Sequence, residues 1–243
     1  LKMLSDFKRA LRFLTILPVD MDETEEARPM GYAFAYFTLI GVLFGGIGAL
    51  VMSLQLFDAR TRAFLVLLVW SVLSGGLHLD GFADSCDGLL ATTTPERRLE
   101  IMRDPRVGTW AVVGLVLLLL GKWLLLIGLP PLWIVLPPVL GRLSMVWLAA
   151  QYSSARPEGL GAAFCTGLGR DQVLVATLIG ALCLFVVMLS DWRVMVSALS
   201  LPIVVFAFGR FAASRLGGGL TGDTYGAGCE LTEWLCLLLL NLL

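Results

Sequence analysis

The chain has 243 residues, of which 58% are hydrophobic and 15% charged, and its net charge is −1. Soluble domains carry about a quarter charged residues, whereas this chain arranges its apolar content in blocks of about 20 residues, each long enough to cross a bilayer. A soluble globular domain is excluded, no nucleic-acid partner is expected, and the fold class that follows is an all-α, polytopic helical membrane protein in contact with membrane lipids.

The N-terminal stretch "LKMLSDFKRALRFLTILPV" places Leu1, Leu4, Phe7, Leu11 and Leu14 on one helical face and Lys2, Lys8, Arg9 and Arg12 largely elsewhere. This pattern predicts an amphipathic helix over 1–18, suited to lying in the membrane interface. Pro18 and the acidic run "DMDETEEARP" end it. Basic residues interrupt its apolar face and no small-residue cleavage site follows, so no secretory signal is expected.

About seven spans are expected after it, at roughly residues 31–57, 62–79, 107–129, 131–150, 172–190, 193–213 and 223–243, all within a single integral-membrane catalytic domain, 1–243. Gly41, Gly45 and Gly48 recur at helical spacing in the first span, consistent with close helix packing. That stripe would also permit association into a homo-oligomer. The "LPP" at 129–131 predicts a tight hairpin, and Pro137, Pro138 and Gly141 predict a kinked or broken helix. The five cysteines, Cys86, Cys165, Cys183, Cys229 and Cys236, form no CxxC pair and lie in or beside apolar runs. They read as small buried residues rather than a disulfide frame or a zinc site.

Seven spans put Lys2, Lys8, Arg9, Arg12, Arg28, Arg97, Arg98, Arg103, Arg106, Arg156, Arg170, Arg210 and Arg215 on one side of the membrane, against Arg60, Arg62 and Arg193 on the other. The positive-inside rule assigns the first side, with the N-terminus and the even-numbered loops, to the cytoplasm. The polar chemistry is therefore expected at the cytoplasmic face.

Three clusters at that side carry chemistry. In "LHLDGFADSCDGLL" (77–90), Asp80, Asp84 and Asp87 fall at i, i+4 and i+7, within roughly 60° of one another on a helix. Like charges on one face near a membrane are costly unless a cation neutralises them. Hard oxygen ligands suit Mg²⁺, which bridges carboxylates to substrate phosphates. In "RRLEIMRDPRVGTW" (97–110), Arg103 and Arg106 flank Asp104. Arginine grips phosphate oxygens bidentately, and Asp104 could complete the metal site or orient an arginine.

In "RLGGGLTGDTYGAGCELTEW" (215–234), Gly219, Thr221 and Gly222 lead into a helix whose N-terminus is a ready anion cradle. Asp223, Glu230 and Glu233 follow on one face. Intramembrane carboxylates point to function by default; the structural alternative is a packed contact to Lys122 or Arg142. The loop "SARPEGLGAAF" (154–164), with Arg156 and Glu158 beside glycines, is a weaker candidate for substrate contact. His78, the chain's one histidine, reads first as a structural residue.

Metal-binding carboxylates, arginines and a glycine-rich helix start are the equipment of phosphoryl transfer on an amphiphilic substrate. A prenyltransferase would also hold Mg²⁺-diphosphate through aspartates, and an ion-coupled transporter would use the carboxylates as a relay. The chain shows neither the repeated aspartate motif of the first nor the matching halves of the second. The segment "DGFADSCDG" partly resembles the signature of CDP-alcohol phosphotransferases, without that family's longer spacing.

Across its whole length, the succession "LRFLTILPV", "GGLHLDGFADSCDGL", "RRLEIMRDPRVGTW", "EGLGAAF" and "GLTGDTYGAGCELTE" resembles the cobalamin synthase, or adenosylcobinamide-GDP ribazoletransferase, family. That resemblance implies Mg²⁺ as cofactor and two substrates, adenosylcobinamide-GDP and α-ribazole or its 5′-phosphate. A ribazole hydroxyl attacks the cobinamide-side phosphorus, and GMP leaves. On this reading Asp80, Asp84 and Asp87 hold the metal, with Asp104 as a possible addition. Arg103 and Arg106 grip phosphate or GMP, and the turn at Gly219, Thr221 and Gly222 cradles a second phosphate. Asp223 or Glu230 orients or deprotonates the attacking hydroxyl.

Overall fold

The computed structural model describes residues 2–243. Among these the chain is helical throughout, with a single isolated β-bridge between Ser154 and Leu220. Helix α1 spans Lys2–Leu14 and α2 spans Glu23–Glu26; the expected placement of Leu1 on the apolar face of α1 lies outside the described residues. The acidic run does more than end α1, because it folds back on it. Lys8 pairs with Glu25 at 3.2 Å, Arg12 with Glu26 at 2.5 Å and Arg28 with Asp6 at 2.8 Å, while Arg9 donates to the carbonyl oxygens of Glu25, Glu26 and Arg28. The basic face of α1 is thus engaged by the chain itself.

Five helical stretches are long and apolar enough to cross a membrane, and a sixth is formed if a bent pair counts as one span. The first is Met30–Ser53, a 3-10 turn (Met30–Tyr36) running into α3, Phe37–Ser53. Its glycines meet backbone. A Cβ on Gly41 would stand 2.5 Å from the Pro138 carbonyl oxygen, and one on Gly45 2.6 Å from the Val135 Cα. Gly48 lies under the Trp70 ring, whose Nε1 donates to the Phe44 carbonyl at 2.9 Å. The stripe expected to permit association between copies is occupied inside the bundle.

The bent pair is α4 (Ala59–Leu73) and α5 (Leu77–Leu90), which meet at 88°. The sequence pattern predicted one span over 62–79. Gly75 and Gly76 break it, with φ of 61° and 72°, a region open to glycine at little cost. As a result α5 leaves the direction of α4 and presents its aspartates at the bundle's end. Helix α6 (Pro95–Ile101) follows, then α7 (Thr109–Leu126).

A 3-10 turn, Pro131–Val135, runs into α8, Leu136–Gln151. Pro137 and Pro138 fall in the first turn of α8, where a missing N–H costs nothing, so the expected break is a change of helix type within one 21-residue span. The expected hairpin is likewise opened out, because α7 packs on α5, α4 and α13 rather than on α8. The chain continues with α9 (Leu160–Cys165) and α10 (Arg170–Met188).

The next span, Trp192–Arg215, passes through a 3-10 stretch, α11 (Ser200–Pro202), a π-helical turn (Ile203–Phe208) and α12 (Gly209–Arg215). Pro202 cannot donate to the helix ladder, and the loosened turn after it is held by Tyr152, whose hydroxyl donates to the Val205 carbonyl at 3.0 Å. Helix α13, Gly222–Leu240, carries Asp223, Glu230 and Glu233 and is not among the helices apolar enough to count as spans.

Helices α8 and α13 form the centre, packed on each other and flanked by α3 and α5. Most of α8 is buried. The outer helices α7 and α10 instead expose Leu117, Leu120, Leu124, Leu178, Leu182 and Phe185, the surface that lipid tails would cover. Replacing Gly41 by alanine is expected to destabilise the fold by about 1–3 kcal/mol through overpacking. Gly46→Ala, where a Cβ meets nothing within 4 Å, should leave stability in place. Thermal unfolding of the two detergent-purified variants, compared with the parent, checks this.

Candidate active site

The site begins with a contact between two backbones. A Cβ on Gly81 of α5 would stand 2.8 Å from the Asp223 carbonyl oxygen, and one on Gly226 of α13 3.4 Å from the His78 Cα. Glycine at both positions lets the two helices touch, which brings Asp223 to the acidic face of α5. The Asp84 carboxylate there faces those of Asp223, Asp80 and Asp87, with the Arg156 guanidinium also in range. Arg156 Nη1 lies 3.7 Å from Asp223 Oδ2, and Arg103 approaches the same pair.

The members differ in how they are held. Asp87 caps α7: its Oδ2 accepts from Gly108 N at 2.7 Å and its Oδ1 from Ala111 N at 3.0 Å. Gly108 has no side chain to cap the helix itself, and a Cβ there would meet the Asp87 carboxylate at 2.6 Å. Asp223 accepts from the Thr221 hydroxyl at 3.2 Å. The Asp80 and Asp84 carboxylates make no hydrogen bond or ion pair among the described residues.

A half-buried carboxylate surrounded by three others, without a cation of its own, suits a divalent ion. No group of three or more His, Cys, Asp or Glu side chains among the described residues forms a ready-made ligand set. Mg²⁺ commonly takes one or two carboxylates and completes its shell with water and phosphate oxygens, and Asp80 and Asp84 fit that pattern.

Some expected members are placed elsewhere. Asp104 is gripped by Arg106, whose Nε and Nη2 donate at 2.9 and 2.6 Å. This pair lies on the loop after α6 and holds the Asp104 carboxyl down at about 2. Neither residue is among the charges that face Asp84. Arg98 closes the end of α5, its Nη1 donating to the Gly88 and Leu89 carbonyls at 2.9 and 2.7 Å.

Glu230 lies two helical turns below Asp223, where Lys122 Nζ stands 2.5 Å from both Glu230 and Glu233, and Arg142 pairs with Glu233. All four side chains are buried, so the structural alternative for Glu230 and Glu233 describes their surroundings. His78 is buried beside this network and points away from the aspartates' open side.

The glycine-rich turn before α13 is built for packing. Leu220 N donates to Ser153 O and Ala155 N to Leu220 O, both at 2.8 Å, and a Cβ on Gly219 would stand 2.6 Å from Ala155 N. Thr221 caps the helix by accepting from Thr224 N at 3.3 Å, which uses one donor of the expected phosphate cradle. Beside it, next to Gly222, lies a polar recess of about 90 Å³ that also takes in Ser154, Arg156, Glu158 and Asp223.

Arg156 is the residue that sequence spacing undervalued. It lies far from both aspartate motifs along the chain, and only the pairing of 153–155 with 220 reveals its place. Its Nη2 also donates to the Leu99 carbonyl at 3.0 Å, tying the loop to α6.

A family model described as cobalamin-5-phosphate synthase matches residues 6–241. The chain belongs to the cobalamin-5-phosphate synthase family. Curated relatives of that family agree along nearly the whole length. A protein of Roseiflexus sp. (strain RS-1) named adenosylcobinamide-GDP ribazoletransferase is 38% identical over 96% of this chain and 88% of its own. Proteins of the same name from Pseudomonas putida (strain GB-1) and Pseudomonas syringae pv. syringae (strain B728a) are 41% and 39% identical, covering 93% and 96% of this chain and 94% and 98% of theirs. No solved structure matches the chain.

Lys122→Met would leave two buried carboxylates sharing Arg142 alone. A loss of about 3–5 kcal/mol is expected, the scale for breaking a buried ion pair. The Lys122→Met protein carrying Glu230→Gln as well should recover part of it. Denaturation of both variants in the same detergent measures the difference.

Proposed function

We propose that the chain is an adenosylcobinamide-GDP ribazoletransferase, a transferase of cobalamin biosynthesis, acting through the acidic cluster between α5 and α13. The observation that carries the mechanism is the Asp84 carboxylate, set among Asp80, Asp87 and Asp223 with no protein cation bound to it. The relatives' shared name supplies adenosylcobinamide-GDP and a ribazole; the acceptor is then α-ribazole or its 5′-phosphate.

Asp80 and Asp84 would hold Mg²⁺, with Asp87 fixing the start of α7 beside them. Bound there, the metal neutralises diphosphate charge and aids departure of the leaving phosphate. Arg103 and Arg156, on the loops facing Asp223, are placed to grip phosphate oxygens that the carboxylates would otherwise repel. Asp104 and Arg106 are satisfied by each other and are left out of this set.

Asp223 orients the ribazole hydroxyl and accepts its proton. The hydroxyl oxygen bonds to the cobinamide-side phosphorus as the bond from that phosphorus to the bridging oxygen breaks, and GMP carries the released electron pair away. Because the wanted acceptor is a hydroxyl and not water, positioning contributes much of the rate. The site lies at the end of the bundle carrying the basic loops, so the single catalytic domain would face the cytoplasm from a bacterial inner membrane.

Purified protein given both substrates and Mg²⁺ should release GMP, and EDTA should stop the release. Asp84→Asn is expected to lower the rate at least 100-fold while the protein stays folded by thermal unfolding. Full activity in Asp84→Asn would overturn the metal assignment. A prenyltransferase or transporter would release no GMP.

A further inference from the structure

The recess beside Asp223 is formed by two segments that the β-bridge holds in register. Its floor is open because Gly161 has no side chain: a Cβ there would stand 3.1 Å from Ser154 Oγ and 3.4 Å from Gly222 N. At about 90 Å³ it has the scale of a sugar ring and could not take a nucleobase together with its ribose, still less a corrin.

Its lining brings together two carboxylates, Glu158 and Asp223. Glu158 stands at the lip, exposed, with no hydrogen bond or ion pair among the described residues. Asp223 closes the inner end. The Ser154 hydroxyl donates to the Arg156 carbonyl at 2.7 Å and accepts from Arg156 N at 3.3 Å, so it is largely engaged by its own loop. Arg156 adds a donor, and its buried Nε has no partner.

A phosphate entering this space would meet two carboxylates, and like charges at such range are unfavourable. A neutral group with several hydroxyls would instead donate to both, and carboxylate acceptors form the stronger class of hydrogen bond. Asp223 belongs at once to this recess and to the cluster around Asp84. A hydroxyl held by it therefore lies beside the place where the diphosphate binds.

Resting on the reaction proposed above, we infer that this recess is the acceptor subsite: it receives the ribose ring of α-ribazole, with Glu158 and Asp223 binding its hydroxyls from opposite ends. Glu158 is then a specificity residue for the ribose, and Asp223 the group that touches the reacting oxygen. The base of the nucleoside extends out past the lip, and the phosphate of the 5′-phosphorylated form stays outside, toward Arg103.

Equilibrium dialysis of radiolabelled α-ribazole against the full-length detergent-purified protein tests this, with GMP release assayed on the same preparations. Saturable binding that weakens at least tenfold in Glu158→Gln and is partly restored in Glu158→Asp is expected. In turnover, the KM for α-ribazole should rise by a similar factor while that for adenosylcobinamide-GDP stays within threefold. Equal α-ribazole binding by parent and Glu158→Gln, no saturable binding by the parent, or a KM rise confined to the GDP substrate would each overturn the subsite. GMP release by the parent reports separately on the reaction, so binding without release would support the subsite while removing the proposed activity.

Discussion

The contact of α5 with α13 is the constraint on which the site depends. Four like-charged side chains cannot be gathered cheaply, and two helices meeting through ordinary side chains would hold Asp223 farther from the three aspartates of α5. Gly81 against the Asp223 carbonyl and Gly226 against His78 remove that spacing. The electrostatic cost of the gathering falls on the folded protein. On the proposed function, a cation and a diphosphate would relieve it.

Other features supply the rigidity that this arrangement needs. Below the cluster, Lys122 and Arg142 fasten α7 and α8 to Glu230 and Glu233 of α13. In a hydrocarbon surrounding, charges paired in this way have no competing water, so the helices are fixed in rotation as well as in distance. At the bundle's end, Asp87 fixes α7 to α5, Arg98 closes α5, and Arg156 ties the 153–156 loop to both α6 and Asp223. Several groups that could have been read as catalytic are thereby supports of the acidic cluster.

Local pattern accounts for what the sequence revealed and for what it hid. Apolar block length announced the spans, and the i, i+4, i+7 spacing announced the aspartate face, because both are properties of one helix. The 88° turn at Gly75–Gly76 was hidden because apolar residues continue on either side of the two glycines. The backbone partners of Asp87 were equally hidden, whereas Lys122 and Arg142 stood as the structural alternative for Glu230 and Glu233. A carboxylate written in a sequence has the same spacing whether it meets a metal, a lysine or a helix start, and the choice is made by residues as distant as Lys122. Arg156 illustrates the converse, since a loop residue acquires its place from backbone pairing that carries no side-chain signature.

The burial of His78 has a bearing on how the enzyme can respond to acidity. Histidine is the one side chain that ordinarily changes charge between about pH 5 and 8, and this chain holds a single copy, turned into the bundle. No imidazole is therefore available to shuttle protons at the substrate. A rate that varies across the neutral range would report the carboxylates of the cluster, or the phosphates they face, and its shape would read out how strongly those charges are coupled.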